Sequence, residues 1–242
     1  SPVVTNSTGH ARISVNANSF PEGPISLKCE IGDNATLYYN SSTDEDSRTI
    51  IIDKTQPLIS YTAATDANGS YSRNWSYARV DVTETNIDTV LLYWNGTPEA
   101  FQSAGGGDYW SNKTGLADGN YQFYAFVNDT AGNANQTTTR EMLIDTALPN
   151  ISIIEPGDRF HNTTTVPISF TAHDVNRDEC WYTVDGGSTN TTLPGCSNTT
   201  SIVLGKGNYT LILYANDTVG NVGNDSQSFS IDLTRPSLAV SS

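Results

Sequence analysis

Short runs in which apolar and polar residues alternate make up most of the chain, and polar turns separate them. Examples are YARVDVT, TVLLYW, YQFYAFV, VPISFTA and YTLILYA, all rich in Val, Ile, Tyr or Phe. Because side chains alternate between the two faces of a strand, this period of two predicts half-buried β-strands. Gly-Asn, Asn-Gly and Gly-Gly pairs between the runs are typical of turns. The pattern predicts an all-β protein.

The chain contains an internal repeat of about 90 residues. DGNYQFYAFVNDTAGN (118–133) aligns with KGNYTLILYANDTVGN (206–221), and each copy is followed by Ile-Asp and then a proline. A third such closure, IDKTQP (52–57), precedes the first copy. Several short strands in each repeat predict β-sandwiches. We therefore predict a short, incomplete β unit at 1–56, sandwiches at 57–146 and 147–235, and a single first strand at 236–242.

The repeated residues resemble the immunoglobulin-like repeats of archaeal surface-layer and other cell-surface proteins. Tyr121 and Tyr209 open the penultimate strand of each copy, and Trp94 lies in the predicted third strand of the first. The resemblance covers roughly residues 57–236 and implies tandem immunoglobulin-like β-sandwich domains. It also implies a tyrosine corner in each copy and a buried Trp94. Such modules serve as spacers, wall elements and adhesins, so the fold alone leaves the function open.

Charge and hydropathy exclude several classes of partner. Lys and Arg total 12 against 26 Asp and Glu, giving a net charge of −14. Nucleic acid and anionic membrane surfaces attract basic proteins, so neither is an expected partner. No apolar run approaches the roughly 20 residues of a membrane span, so we expect no direct insertion of this segment.

Glycosylation sequons are strongly enriched and predict an extracellular, cell-surface location. Sixteen of the 23 asparagines stand in Asn-x-Ser/Thr, whereas chance gives about five at this composition. We expect N-linked glycans at some or all of Asn6, Asn34, Asn40, Asn68, Asn74, Asn95, Asn112, Asn128, Asn135, Asn150, Asn162, Asn190, Asn198, Asn208, Asn216 and Asn224. An oxidising location also favours a disulfide between Cys180 and Cys196, which flank a Gly-Gly turn. Cys29 is left over, either as a buried thiol or as a residue whose partner is missing.

The repeated hexapeptides NDTAGN (128–133) and NDTVGN (216–221) follow the penultimate strand. Their Asn, Asp, Thr and Gly residues predict the turn between the last two strands of each sandwich. A second hypothesis is a structural calcium site beside each linker, because Ca²⁺ takes six to eight oxygen ligands. In this fold the B–C loop, the F–G turn and the incoming linker meet at one end. The candidate ligands are Asp53, Glu84 and Asp129 for the first site and Asp145, Asp174 and Asp217 for the second.

The two ends of the chain allow two interpretations. PSLAVSS (236–242) matches the segments that open each repeat, and the unit at 1–56 lacks the repeated block. Either the chain is a piece of a longer array, or the last strand of one copy completes the short unit of the next. Strand addition of this kind generates a filament when it repeats head to tail.

We therefore expect a non-enzymatic extracellular structural protein, a subunit of a cell-surface filament or surface layer. Its expected partners are copies of itself or other cell-surface proteins. The alternative is an adhesin or a carbohydrate-binding stalk module of a larger secreted protein. The non-catalytic part of a secreted hydrolase remains a third possibility. The three histidines have no metal-ligand spacing, and no G-x-S-x-G motif is present, so catalysis is not expected.

Overall fold

The computed structural model describes residues 16–28, 47–197 and 200–236. Strands dominate it, and two 3-10 turns are present at Ala17–Ser19 and Pro194–Cys196. In chain order the strands are β1 (Gly23–Lys28), β2 (Ser47–Ile52), β3 (Leu58–Tyr61), β4 (Gly69–Tyr71), β5 (Trp75–Thr83), β6 (Ile87–Trp94), β7 (Thr97–Ala100), β8 (Gln102–Gly105), β9 (Asp108–Thr114), β10 (Gly119–Asp129), β11 (Ala134–Gln136), β12 (Arg140–Ile144), β13 (Asn150–Glu155), β14 (Phe160–His161), β15 (Thr165–His173), β16 (Arg177–Thr183), β17 (Thr191–Thr192), β18 (Thr200–Val203), β19 (Gly207–Asp217) and β20 (Val222–Ile231).

The chain forms two compact units. Unit 1 contains the described residues up to Thr65 together with Ala78–Ser111 and Tyr124–Thr138. It holds the antiparallel pair β1–β2, most of a sheet in the order β3-β5-β9-β8, and the later part of β10, which pairs with β11. Strand β6 lies between β10 and β7. One core cluster contains Val80, Val82, Ala125 and Val127, with Ile59, Tyr61, Ile87, Val90, Phe101 and Tyr109 packed around them.

Unit 2 contains Asp66–Tyr77, Asn112–Phe123 and the described residues from Thr139 onward. The first part of β10 pairs with β12, which pairs in parallel with β4. Two further sheets have the orders β13-β15-β18 and β14-β20-β19-β16-β17. Their core contains Ile151, Val166, Ile168, Phe170, Ala172, Cys180, Leu193, Ile202, Leu211, Leu213, Ala215, Phe229 and Ile231.

The two copies of the penultimate strand, β10 and β19, follow the predicted alternation. In both strands every second residue from the fifth position onward is buried. The Tyr121 hydroxyl donates to the Ala117 carbonyl at 2.9 Å, and the Tyr209 hydroxyl donates to the Gly205 carbonyl at 3.2 Å. These bonds are the predicted tyrosine corners, and Trp94 is buried at the end of β6 as expected.

Several predicted features fall outside the described residues. They include Cys29, the sequons at Asn6, Asn34, Asn40 and Asn198, the segment after Pro236, and much of the N-terminal unit. Within that unit, the described residues include the strand β2 (Ser47–Ile52). The boundaries of the two sandwiches, 57–146 and 147–235, stay a prediction.

Candidate functional site

Each repeated hexapeptide forms the turn that follows the penultimate strand, as predicted. Strand β10 ends at Asp129 and β19 ends at Asp217. The backbone closes in the same way in both copies: the Asp N–H donates to the carbonyl four residues later, at 3.0 Å in the first turn and 3.1 Å in the second. Gly132 and Gly220 have φ of 91° and 95°, a region that favours glycine.

The aspartate of each turn holds the loop together. One carboxylate oxygen of Asp129 accepts the backbone N–H groups of Ala131 and Asn133 at 2.9 and 2.8 Å. The corresponding oxygen of Asp217 accepts three, from Val219, Gly220 and Asn221, at 2.7–2.9 Å. Burial raises the pKa of each carboxyl, but hydrogen bonds from the Asn133 or Asn221 side chain and from the backbone outweigh this effect. The pKa of both aspartates is therefore below its ordinary value, and the ionised form stabilises the turn.

The asparagine that ends each hexapeptide joins the turn to the preceding linker. The Asn133 amide nitrogen donates to Asp129 Oδ2 at 2.8 Å and to the Asp53 carbonyl at 3.2 Å. The Asn221 amide nitrogen donates to Asp217 Oδ2 at 2.7 Å and to the Asp145 carbonyl at 2.8 Å. We call the assembly of linker 53–57 and turn 128–133 joint 1, and that of linker 145–149 and turn 216–221 joint 2.

The B–C loop contributes to both joints. The Asn86 carbonyl accepts the Thr130 N–H at 2.9 Å, and the Asn176 carbonyl accepts the Thr218 N–H at 3.0 Å. Joint 2 has one more contact, because the Asn176 amide donates to the Asp145 carboxylate at 2.6 Å. Both linker carboxylates also accept the N–H two residues later, Asp53 from Thr55 at 3.1 Å and Asp145 from Ala147 at 3.2 Å.

The carbonyl of the linker proline is contacted differently in the two joints. In joint 1 the Asn135 side chain donates to the Pro57 carbonyl at 2.9 Å. The equivalent position in joint 2 is Gly223, where an added Cβ would lie 1.9 Å from the Pro149 carbonyl oxygen. Glycine is therefore required at 223 because the linker backbone occupies the space of a side chain.

The carboxylates predicted to bind calcium surround the linkers, but hydrogen-bond donors occupy them. In the described parts of the chain, no group of three or more His, Cys, Asp or Glu is placed to hold a metal ion. Glu84 accepts backbone N–H groups of its own loop, and so does Asp174. The amides of Asn133, Asn176 and Asn221 point N–H groups at Asp129, Asp145 and Asp217.

Asn133 and Asn221 therefore act as hydrogen-bond donors, since a carboxylate and a linker carbonyl face each of them. Asp53 and Glu84 line one cleft of about 320 Å³ together with Glu22, and Asp129 is not among the residues that line it. The carboxylate oxygens that would bind Ca²⁺ already accept N–H groups, so they do not form a calcium site in this arrangement. Calcium at the linkers stays a prediction.

The predicted disulfide is present. Cys180 in β16 and Cys196 are joined, with Cα atoms 5.0 Å apart and 16 positions of separation along the chain. The Leu193 N–H donates to the Cys180 carbonyl at 2.8 Å, so the segment before Cys196 lies against the strand that it is bonded to. An immunoglobulin-like fold with a disulfide is typical of extracellular or surface domains.

The described sequons all have accessible asparagines. Three are partly buried, and the Nδ2 atoms of two of these donate within the fold: Asn128 to Asp88 at 3.0 Å and Asn135 to Pro57 at 2.9 Å. Asn216 is the third, and its Oδ1 accepts the Glu179 N–H. The exposed ones are Asn68, Asn74, Asn95, Asn112, Asn150, Asn162, Asn190, Asn208 and Asn224.

Comparison with protein families gives a match over part of the chain. The bacterial Ig-like domain model matches residues 79–146. A search of curated proteins finds no match. None of the helices in the described part of the chain is long and apolar enough to cross a membrane.

Similar solved structures are two-module or fibronectin-like proteins. The fibronectin(III)-like modules of Clostridium thermocellum CbhA are 16% identical with a TM-score of 0.43, covering 76% of this chain and 100% of that one. Titin domains Z1Z2 in complex with telethonin are 9% identical with a TM-score of 0.34, covering 74% and 98%. The Ig1-2 module of the Drosophila receptor protein tyrosine phosphatase DLAR is 9% identical with a TM-score of 0.30, covering 74% and 100%. Together with the strand order and the tyrosine corners, the family match establishes an all-β, immunoglobulin-like fold.

Proposed function

We propose that this chain is a non-catalytic structural protein of the cell surface, a subunit of an extracellular filament or surface layer. Immunoglobulin-like domains are typically structural modules that contact other proteins. The acidic surface and the enriched sequons fit an extracellular, glycan-bearing protein. Its partners are then copies of itself or other proteins of the same surface.

The observation that carries this proposal is the repeated joint. Both linkers are hydrogen-bonded through a carbonyl to the asparagine of the following turn, by Asn133 in one copy and by Asn221 in the other. A linker tied to its module loses the conformational freedom of a flexible tether. A chain that repeats the same tie in each module is suited to bear load or to hold a fixed spacing, which is what a wall element needs.

Strand complementation is the proposed mode of assembly. Segment 236–242 repeats the opening of each module, and an added strand supplies main-chain hydrogen bonds together with pockets for alternate side chains. Leu238 and Val240 are the apolar positions of that strand, and Ser237 and Ser241 are the alternating polar ones. The two pairs give a matched set of substitutions on opposite faces of one segment.

The test is negative-stain electron microscopy of the full chain at increasing concentration. We expect filaments or sheets for the unaltered chain and for Ser237→Asp/Ser241→Asp, and their loss in Leu238→Asp/Val240→Asp. Isolated particles at every concentration would contradict self-assembly. Filaments that still form in Leu238→Asp/Val240→Asp would support self-assembly but contradict strand complementation as its mechanism.

A carbohydrate-binding stalk is the second candidate, and one observation favours it. Two stacked aromatic pairs are partly exposed: Tyr93 with Tyr124 at 4.7 Å between ring centroids, and Trp181 with Tyr214 at 5.4 Å. Aromatic faces of this kind bind sugar rings through their apolar sides. Retention of the unglycosylated chain on a glycan array, lost in Tyr93→Ala or Tyr214→Ala, would favour this function over the structural one.

A further inference from the structure

One sequon lies directly beside an exposed aromatic pair. In the register of the sheet, Trp181 of β16 faces Tyr214 of β19, and Tyr214 faces Asn224 of β20. The three residues thus form a row across three strands. The residues on either side of Tyr214 in the chain, Leu213 and Ala215, are buried in the core, so the row lies on the opposite, outer face.

The aromatic end of the row is a stacked pair of rings. The Trp181 and Tyr214 rings are stacked with 5.4 Å between centroids and 9° between planes. Both side chains are only partly buried. The negative faces of aromatic rings attract the weakly positive C–H groups of a sugar ring, and covering them also removes apolar surface from water.

The asparagine end of the row is free to carry a modification. Asn224, Asp225 and Ser226 form the sequon, and the Asn224 side chain is exposed. Within the described residues no hydrogen bond engages that side chain, whereas Asp225 on the other face accepts the Ile153 N–H at 2.8 Å. Ser226 follows Asn224 by two positions and so lies on the same outer face.

The two neighbouring sequons on this face are less suitable. Asn216 follows Tyr214 by two residues, but its side-chain oxygen accepts the Glu179 N–H at 2.9 Å. The side-chain oxygen of Asn208 accepts the hydroxyl of Ser230 at 2.8 Å. Asn208 also precedes Tyr214 by six residues along β19, so the two residues are not neighbours. Asn224 combines an unengaged amide with direct cross-strand opposition, in which Cβ atoms are about 4.5–5.5 Å apart.

We propose that an N-linked glycan on Asn224 packs its first sugar against the Tyr214–Trp181 pair and covers the outer face of the β14-β20-β19-β16-β17 sheet. This inference rests on the proposed extracellular function. The aromatic pair then binds the sugar that the chain itself carries, not a sugar from a partner.

The first repeat provides an internal contrast. Phe126 occupies the position of Tyr214, and its cross-strand partner is Gln136 and not an asparagine of a sequon. Tyr93 and Tyr124 stack there as well, but no glycan is expected opposite Phe126. The proposal therefore predicts a glycan-dependent effect in the second repeat that has no counterpart in the first.

The experiment uses the full chain secreted from a eukaryotic host, with its glycans trimmed to single N-acetylglucosamine residues. Mass spectrometry reports occupancy at each sequon, and thermal unfolding reports stability. We expect Asn224 to be occupied and Asn224→Gln to lower Tm by about 2–4 °C. Asn190→Gln, which removes an exposed sequon in the loop after β16, is the control and is expected to leave Tm unchanged.

The decisive comparison is made in a Tyr214→Thr background, which keeps strand propensity but removes the ring. There Asn224→Gln is expected to have no effect on Tm. An unmodified Asn224 beside occupied sequons elsewhere, or the same Tm loss with and without Tyr214, would overturn the proposal. Neither result changes the filament test, whereas a chain with no occupied sequon at all would also count against a glycosylated surface protein.

Discussion

Joint 1 and joint 2 are built from nearly identical hexapeptides, but the turn contacts the linker differently in the two joints. In joint 1 two side chains, Asn133 and Asn135, reach across to the linker carbonyls of Asp53 and Pro57 at 3.2 and 2.9 Å. In joint 2 the backbone itself comes into contact, because Gly223 leaves room for the Pro149 carbonyl.

Joint 2 also holds its linker more firmly. The Asp145 carbonyl is bound by Asn221 at 2.8 Å, and the Asp145 carboxylate is bound by Asn176 at 2.6 Å. Asp145 is buried, whereas Asp53 is only partly buried. One turn sequence can therefore hold its linker either through a side chain or through close backbone contact. The residue two positions after the turn, Asn135 or Gly223, decides which.

The largest effect is expected at the glycine of joint 2. Gly223→Ala places a Cβ where the Pro149 carbonyl oxygen lies, so the linker must move. We expect a loss of about 3 kcal/mol or more in the free energy of unfolding, measured by urea denaturation. Gly205→Ala, where nothing lies within 4 Å, is the control and is expected to be nearly neutral. If the two variants lose equal stability, the close approach at joint 2 is not what requires glycine.

The disulfide gives the second repeat a further stabilisation, since the first repeat has no cysteine. Closing a loop of about 15 residues contributes about 3 kcal/mol in the chain-entropy model. Reducing agent is therefore expected to lower the urea midpoint of the wild-type chain markedly. The same treatment of Cys180→Ala/Cys196→Ala serves as the control, and any midpoint shift that remains there must come from Cys29.

The asparagines of the two joints are expected to differ in importance. Asn221→Ala removes two buried hydrogen bonds and leaves the Asp145 carbonyl without one donor, so we expect a loss of about 2 kcal/mol. Asn133→Ala makes the same deletion where the linker bond is longer and less buried, and about 1 kcal/mol is expected. Asn120→Ala, an exposed asparagine in β10, is the control. Equal losses at positions 133 and 221 would remove the proposed difference between the joints.

Acid is expected to weaken both joints. Burial raises the pKa of Asp129 and Asp217, but hydrogen bonds outweigh it and hold the pKa below the ordinary 3.8. A carboxyl with a depressed folded-state pKa stabilises the fold above its unfolded pKa, and this contribution is lost as the pH falls through the folded value. Below about pH 4 the urea concentration at the unfolding midpoint is therefore expected to decrease as the pH is lowered. The decrease is expected to be less steep in the double variant Asp129→Asn/Asp217→Asn. An unchanged slope in that variant would assign the acid sensitivity to other carboxyls.

Calcium is expected to have the smallest effect of all. Binding at either joint requires that the N–H donors on Asp129, Asp145 or Asp217 be replaced by the ion. We expect millimolar calcium or a chelator to shift Tm by less than about 2 °C. A larger rise with calcium, abolished in Asp145→Asn but not in Asp185→Asn, would restore the calcium sites predicted from the sequence.

The local pattern of the sequence was enough to predict the strands and the turns. The tyrosine corners at Tyr121 and Tyr209 were implied by the resemblance to immunoglobulin-like repeats, and the structure contains both hydroxyl–carbonyl bonds. Cys180 and Cys196 were identifiable because a hairpin brings nearby residues together. The F–G turns that contain Asn133 and Asn221 were expected to lie beside the linkers, but the hydrogen bonds that these two side chains donate to the linkers were not predicted.

Only the tertiary structure decided how each joint is closed. Whether an amide presents its oxygen or its N–H groups depends on what faces it, and here a carboxylate and a linker carbonyl face Asn133 and Asn221. Asn135 and Gly223 occupy equivalent positions in the two repeats, and the sequence alone gives no reason for the difference. The reason becomes clear from the Pro57 and Pro149 carbonyls that lie beside them. The sequence by itself determined the module and its repetition, because strand periodicity and turn chemistry act over a few residues. The contacts between residues some 80 positions apart were decided by packing, which no local pattern records.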